Sequence, residues 1–223
     1  MTARRVAIYG GTFDPVHNGH VEVARRVLKL FELDEIVFVP ACVPPHKRNA
    51  NITSAFHRFA MLALATELDQ HLLVSTIELD APDLPYAVDT VEGMRARLGE
   101  QTELFFLVGA DSWLEIKTWR EWRRLLTLSN FIVMTRPGYA MTRAALTDLP
   151  IPLLNVLGHG CRQLDLAKMS GASPHAYFTD AVQSDVSAVR IRAAIKRNDF
   201  ASVKELVPPQ VAAYIEKHRL YID

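Results

Sequence analysis

The chain has 223 residues, 49% of them hydrophobic, which is the composition of an ordinary soluble globule that can build one domain with a sizeable core. Its 25 basic residues balance its 25 acidic residues, so the protein as a whole has no electrostatic preference for nucleic acid or for a membrane surface. No apolar run approaches the ~18 residues that are needed to cross a bilayer.

Short apolar runs typical of strands alternate with helical patterns along most of the chain. Strands are predicted at 6–9, 35–39, 72–77, 104–108 and 131–134, and helices at 19–33, 54–68, 89–98, 119–128, 187–198 and 209–218. Gly99 is the expected stop of the third helix, and Pro209 suits the start of the last one. The alternation predicts an α/β fold in which a parallel sheet is covered by helices on both faces. The segment 139–174 is less regular, and we assign it no role.

One domain is expected over residues 1–223, with a helical C-terminal part from about 187 to 223. The first strand is reached by about residue 5, which leaves no room for a signal peptide, so we expect a cytoplasmic location. Cys42 and Cys161 form no C-x-x-C pair, and unpaired thiols are expected rather than a disulfide.

Four loops follow predicted strands directly, at 10–20, 40–47, 109–111 and 135–138. Because ligands of a parallel sheet bind beyond the carboxyl ends of its strands, these loops should share one rim. The first loop, GGTFDPVHNGH, offers a triphosphate bare backbone N–H groups, the positive end of a helix and two imidazoles. For His17 and His20, helix-start hydrogen bonds or a structural metal are the alternatives, although no acidic or cysteine cluster accompanies them.

This loop resembles the signature of the nucleotidylyltransferase superfamily, and within it the chain is similar to bacterial nicotinate-nucleotide adenylyltransferases over nearly its whole length except about 139–175. The resemblance implies a Rossmann-like fold of the H-x-G-H type. It also implies transfer of AMP from ATP to nicotinate mononucleotide, with Mg²⁺ accompanying ATP. The implied catalytic residues are His17, His20, Lys47 and Arg192. The implied ATP-binding residues are Gly10, Gly11, Thr12, Phe13, His17, His20, Gly109, Asp111, Ser187 and Arg192.

A second set of residues would hold the mononucleotide by the same resemblance. Its members are His46, Lys47, Tyr86, Thr90, Trp119, Arg120 and Arg136. Tyr86 and Thr90 match the family's pattern, whereas Pro85 and Ala87 replace two hydroxyl residues of its Ser-Tyr-Thr element. Trp119 matches the family tryptophan that lies against the pyridine ring, a contact that suits a flat electron-poor ring.

Several of these residues have simpler alternatives. Asp111 follows a strand end, where a carboxylate accepts hydrogen bonds from ribose hydroxyls or caps a helix. Ser187 and Arg192 resemble the family's I-S-S-T-x-x-R element, in which Val189 replaces a hydroxyl residue, and the alternative is a serine cap with solvated arginines. Arg58 is a weaker candidate for phosphate binding, with a solvated helix arginine as its alternative.

The sequence leaves three other functions open. Nicotinamide mononucleotide or phosphopantetheine could replace the acid as the acceptor. HNGH also resembles a motif of aminoacyl-tRNA synthetases, but the KMS at 168–170 is followed by GA, and the chain has no excess positive charge. A non-catalytic nucleotide sensor would bind ATP without turnover. No nucleic-acid or membrane partner is expected, and the sequence does not define an oligomeric state.

Overall fold

The computed structural model describes residues 3–42, 52–81, 83, 85–135, 149–156, 174–180 and 186–222. The strands in this part are β1 (Arg5–Gly11), β2 (Glu35–Pro40), β3 (Leu72–Val74), β4 (Glu103–Gly109), β5 (Asn130–Met134), β6 (Leu153–Asn155) and β7 (Ala176–Thr179). The helices are α1 (Asn18–Leu30), α2 (Ala55–Thr66), α3 (Ala87–Leu98), α4 (Ala110–Leu114), α5 (Trp122–Leu128), α6 (Ala188–Lys196), α7 (Phe200–Leu206) and α8 (Pro209–Lys217). None of these helices is both long and apolar enough to cross a membrane.

The described strands form one parallel sheet in the order β3-β2-β1-β4-β5-β7-β6. β1 lies between β2 and β4, and its last residue, Gly11, pairs with Pro40 at the end of β2. Because the strands are parallel, their carboxyl ends meet at one edge, where the loops after β1, β2 and β4 are neighbours. The predicted Rossmann-like α/β fold is confirmed.

Both faces of the sheet are buried, which explains why the strands are continuous apolar runs rather than alternating ones. Along β1, Ala7 and Tyr9 point into one apolar layer, while Val6 and Ile8 point into the other. The first layer also contains buried residues of α1, α2 and α6 to α8, and the second contains those of α3 to α5.

Element boundaries differ from the prediction at two places near the site. The helix predicted at 119–128 begins only at Trp122, because Glu121 adopts a left-handed conformation (φ 49°) and Trp119 is extended. The strand predicted at 72–77 ends at Val74. Gly99 ends α3 at a φ of 86°, as predicted. The short elements α4, α7, β6 and β7 have no counterpart among the predictions.

Of the two cysteines, one lies in the described part of the chain. Cys42 is an unpaired thiol among the described residues, and Cys161 lies outside them. The prediction of a single domain over residues 1–223 stays a prediction.

Candidate active site

The glycine turn, residues 10–14 at the end of β1, has an unfavourable backbone conformation that is supported by contacts with other parts of the fold. Phe13 is a non-glycine residue at a φ of 49°, and its ring is buried edge-on against Tyr9 and Phe38. A Cβ on Gly11 would lie 2.8 Å from that ring, so this position has no room for a side chain. Phe13 therefore shapes the turn, and any contact that it makes with a nucleotide would come from its backbone.

Arg58 of α2 holds this turn in place from behind. Its side chain is buried, and its guanidinium donates hydrogen bonds to four backbone carbonyl oxygens: Thr53, Thr12, Ala41 and Cys42, at 2.9, 2.8, 2.6 and 3.0 Å. Burial lowers the pKa of Arg58, an effect that nearby Asp14 and other acidic groups oppose. The structure places Arg58 neither in solvent nor free for phosphate, and both sequence-based interpretations of it are wrong.

His17 and His20 stand together at the start of α1. Their rings are stacked, with centroids 3.7 Å apart. The backbone N–H of His17 donates to Nδ1 of His20 at 3.2 Å, so that nitrogen is an acceptor. The neutral His20 ring consequently carries its proton on Nε2. Nδ1 of His17 is buried and has no hydrogen-bond partner within the described part of the chain.

Both imidazoles are neutral at physiological pH. Burial lowers the pKa of His17 to about 4. Burial also lowers the pKa of His20 well below its usual value, and the neighbouring His17 lowers it further. The pair can therefore donate hydrogen bonds to phosphate without bringing two positive charges into contact.

The start of α6 lies beside the same turn. Arg192 donates from Nη1 to the backbone carbonyl of Asp14 at 2.6 Å, which brings α6 to the glycine turn across 178 residues of sequence. Ser187 accepts a hydrogen bond from the backbone N–H of Arg190, so the interpretation as a helix cap is confirmed. Val189, where the family pattern has a hydroxyl residue, is 66% exposed.

A cavity of about 290 Å³ runs from the glycine turn across the carboxyl end of β4 to α3 and the segment before α5. The sequence-predicted residues that line it are Gly10, Gly11, Thr12, Tyr86, Thr90, Gly109, Trp119 and Arg120. A Cβ placed on Gly109 would meet nothing within 4 Å, so the space beside this residue is open. Part of the predicted ATP set and part of the predicted mononucleotide set therefore share one cleft. The predicted ATP residues that do not line it are Phe13, His17, His20, Asp111, Ser187 and Arg192.

One wall of this cleft is formed by the rings of Tyr86 and Trp119 together with the Arg120 guanidinium, and we call it the aromatic wall. Trp119 packs edge-on against Phe106, and the Arg120 guanidinium lies 4.8 Å from the centre of the Tyr86 ring. Asp111 lies exposed in the first turn of α4 and is not among the residues that line the cleft. The helix cap there is Gly109, so the alternative that Asp111 is the capping residue is wrong.

Glu78 is a cleft residue that the sequence analysis missed. It accepts hydrogen bonds from the Thr90 hydroxyl at 2.7 Å and from the Cys42 backbone N–H at 3.2 Å. Burial raises the pKa of Glu78, and these two hydrogen bonds and Arg58 oppose the rise. The Thr90 hydroxyl is closer to Glu78 than to its other acceptor, the Tyr86 carbonyl oxygen at 3.3 Å. A single glutamate in an irregular stretch carries no sequence signal for this role.

Three predicted site residues, His46, Lys47 and Arg136, lie outside the described residues. Their assignment to the mononucleotide, and that of Lys47 to catalysis, stay predictions. The same holds for the ligand contacts of the other residues, because the structure shows their placement and not a bound nucleotide.

The known proteins to which this chain is similar, in sequence and in fold, are nucleotidyltransferases. A family model described as Cytidylyltransferase-like matches residues 8–194. A probable nicotinate-nucleotide adenylyltransferase of Citrifermentans bemidjiense is 36% identical over 98% of this chain and 99% of its own. One from a Thermoanaerobacter species is 36% identical over 97% of this chain and 94% of its own. The solved Plasmodium falciparum nicotinic acid mononucleotide adenylyltransferase complexed with NaAD is similar in fold, with a TM-score of 0.73, 20% identity and coverage of 98% and 97%.

Proposed function

This chain belongs to the cytidylyltransferase-like family, and we propose that it transfers AMP from ATP to nicotinate mononucleotide, forming nicotinate adenine dinucleotide and pyrophosphate. The observation that carries the proposal is the single cleft that joins the glycine turn to the aromatic wall. One end is lined by Gly10, Gly11 and Thr12, whose backbone we assign to the phosphates, and the other end is lined by aromatic side chains. Relatives that carry this activity in their names match the chain over nearly its full length.

In the proposed reaction, a phosphate oxygen of the mononucleotide attacks the α-phosphorus of ATP in line with the departing pyrophosphate. One P–O bond forms, the bond to the bridging oxygen of pyrophosphate breaks, and that oxygen retains the electron pair. No covalent enzyme intermediate is needed, so the protein contributes alignment and stabilisation of charge. The Nε2–H of His20, fixed by the contact at its Nδ1, is the donor best defined for this task.

The remaining ATP contacts are proposed from position. Gly10, Gly11 and Thr12 line the cleft and present backbone groups to phosphates, while Gly109 leaves room beside β4. Asp111 would accept hydrogen bonds from ribose hydroxyls. For Arg192, phosphate binding would use guanidinium N–H groups other than the one that donates to Asp14.

Trp119 and Tyr86 would hold the pyridine ring and Arg120 the acceptor's anionic groups, with His46, Lys47 and Arg136 assigned by resemblance. Mg²⁺ is proposed to enter with ATP, where it neutralises charge on the phosphates. The described residues contain no cluster of three or more candidate metal ligands. A Mg²⁺ ion that enters with ATP would be held chiefly by phosphate oxygens and water. We also propose that the enzyme acts in the cytoplasm.

The test is pyrophosphate release from ATP and Mg²⁺ with nicotinate mononucleotide, nicotinamide mononucleotide or phosphopantetheine as the acceptor. We expect release with nicotinate mononucleotide to exceed that with the other two, and the dinucleotide to appear in equal amount. His20→Ala should lower turnover by roughly 10²-fold, the usual effect of losing one transition-state donor. ATP binding without pyrophosphate release from any acceptor would instead identify a nucleotide sensor.

A further inference from the structure

The C-terminal end of the described chain folds back onto the glycine turn. After α8, Arg219 and Tyr221 both adopt left-handed conformations, with φ of 50° and 66°. Arg219 is the left-handed residue that ends α8, and the Leu220 N–H bonds back to the Ile215 carbonyl at 3.1 Å. The left-handed conformation of Tyr221 follows this helix end and is unfavourable for a residue with a side chain. The Tyr221 hydroxyl donates to Oδ1 of Asp14 at 2.7 Å, a contact between residues 207 apart in the sequence.

Asp14 is the residue through which this contact reaches the site. Its side chain is only 6% exposed, and a buried carboxylate needs hydrogen-bond donors on both oxygens. Tyr221 supplies one, and the backbone N–H of Thr53 supplies the other at 3.3 Å. The Asp14 backbone carbonyl accepts from Arg192. Asp14 therefore lies where α6, the segment before α2 and the C-terminal segment meet the turn.

The turn needs this support because of its own geometry. Asp14 directly follows Phe13, whose φ is positive, and is three residues before His17. The rotation of the first turn of α1, and with it the position of the two imidazoles, follows from the path of this segment. Burial and the Asp14 carboxylate raise the pKa of Tyr221, so the phenol stays protonated and remains a donor throughout the neutral range.

We propose that Tyr221 is a positioning residue for catalysis: through Asp14 it holds the glycine turn in the conformation that aligns His17 and His20 with the ATP phosphates. The inference rests on the proposed function. It predicts that loss of one hydroxyl, on a residue that does not line the cleft, will impair the use of ATP and leave mononucleotide binding unchanged.

Tyr221→Phe tests the proposal, because it removes the hydroxyl and keeps the ring. We expect kcat/KM for ATP to fall about tenfold or more, because the hydroxyl bonds the Asp14 carboxylate and also the Thr53 side chain, with KM for the mononucleotide within twofold of wild type. Tyr214→Phe is a matched control. That tyrosine of α8 is also partly buried and bonded through its hydroxyl, but to His57 at 2.9 Å, away from the turn. A merely structural role would give both variants the same small loss of Tm and no specific loss toward ATP.

Hydrogen exchange of the backbone amides at residues 11–13 gives a second measurement that requires no turnover. Protection there should fall in Tyr221→Phe and stay at the wild-type level in Tyr214→Phe. The proposal is overturned if both variants use ATP equally well, or if their exchange profiles at the turn coincide. If wild-type protein releases no pyrophosphate with any acceptor, the proposed function fails, whereas the exchange comparison still tests the contact itself.

Discussion

Replacing Arg58 by methionine should destabilise the protein strongly, although it removes no residue that we assign to a ligand. Methionine fills much of the same volume but donates no hydrogen bond. Four backbone carbonyl oxygens would then lose their donor in a site from which water is largely excluded. Two of them, Thr12 and Ala41, border the cleft, so the change also releases the loops after β1 and β2.

The size of the effect follows from opposing contributions. A hydrogen bond from a charged donor contributes about 1.5–3 kcal/mol, but the four together cannot be summed because burying the guanidinium is itself costly and some carbonyls will regain water. A loss of about 4 kcal/mol is the value expected for removing one partner from a buried charged network. For a chain of this length, 1 kcal/mol corresponds to roughly 2–4 °C in Tm, which gives a decrease of about 12 °C.

Thermal and urea unfolding of Arg58→Met, Arg58→Lys and Arg25→Met measures the loss in Tm and in the free energy of unfolding. Lysine should give an intermediate loss, because one ammonium cannot reach four carbonyls in the geometry of a planar fork. Arg25→Met is the matched control, since Arg25 is 55% exposed in an ion pair with Asp69 and should cost under about 1 kcal/mol. A Tm within about 3 °C of wild type for Arg58→Met, combined with a raised KM for ATP, would refute the structural role and restore a phosphate contact.

Three further results are expected. Because the pKa of His17 falls from 6.5 to about 4 on folding, the unfolded chain binds more protons as the pH falls toward 5. The His17 contribution to the free energy of unfolding should therefore be nearly constant above about pH 7 and decrease by about 2 kcal/mol between pH 7 and 5 in urea titrations, and His20, whose pKa is also lowered, should add to the decrease. His17→Gln should reduce that pH dependence. Trp119→Ala should raise KM for the mononucleotide about tenfold or more and KM for ATP less than twofold, because only the pyridine loses an aromatic face. Trp122→Ala is the control, since Trp122 does not line the cleft. Equal rises in KM for both substrates in Trp119→Ala would contradict the assignment. Glu78→Leu should raise KM for the mononucleotide about threefold to tenfold, since it leaves the Cys42 N–H without its acceptor and the Thr90 hydroxyl with only the longer contact to the Tyr86 carbonyl. Steady-state kinetics with ATP varied separately would expose a general loss instead.

The sequence determined the elements whose signals are local. The apolar runs of β1, β2, β4 and β5 and the stop of α3 at Gly99 follow from periodicity and from residues a few positions apart, and the structure has them where they were predicted. The turn of glycines before two histidines also identified the family, because its chemistry is contained in eleven consecutive residues. The parallel topology then brought the loops after these strands to one edge.

Only the tertiary structure decided what each side chain does there. It placed Arg58 behind the turn rather than against phosphate, and it gave the Thr90 hydroxyl to Glu78. It also brought Tyr221 onto Asp14. These contacts join residues 46, 12 and 207 positions apart, and no periodicity encodes them. The choice between solvent, ligand and backbone as the partner of a polar group depends on burial, which exists only after the sheet and its helices have packed.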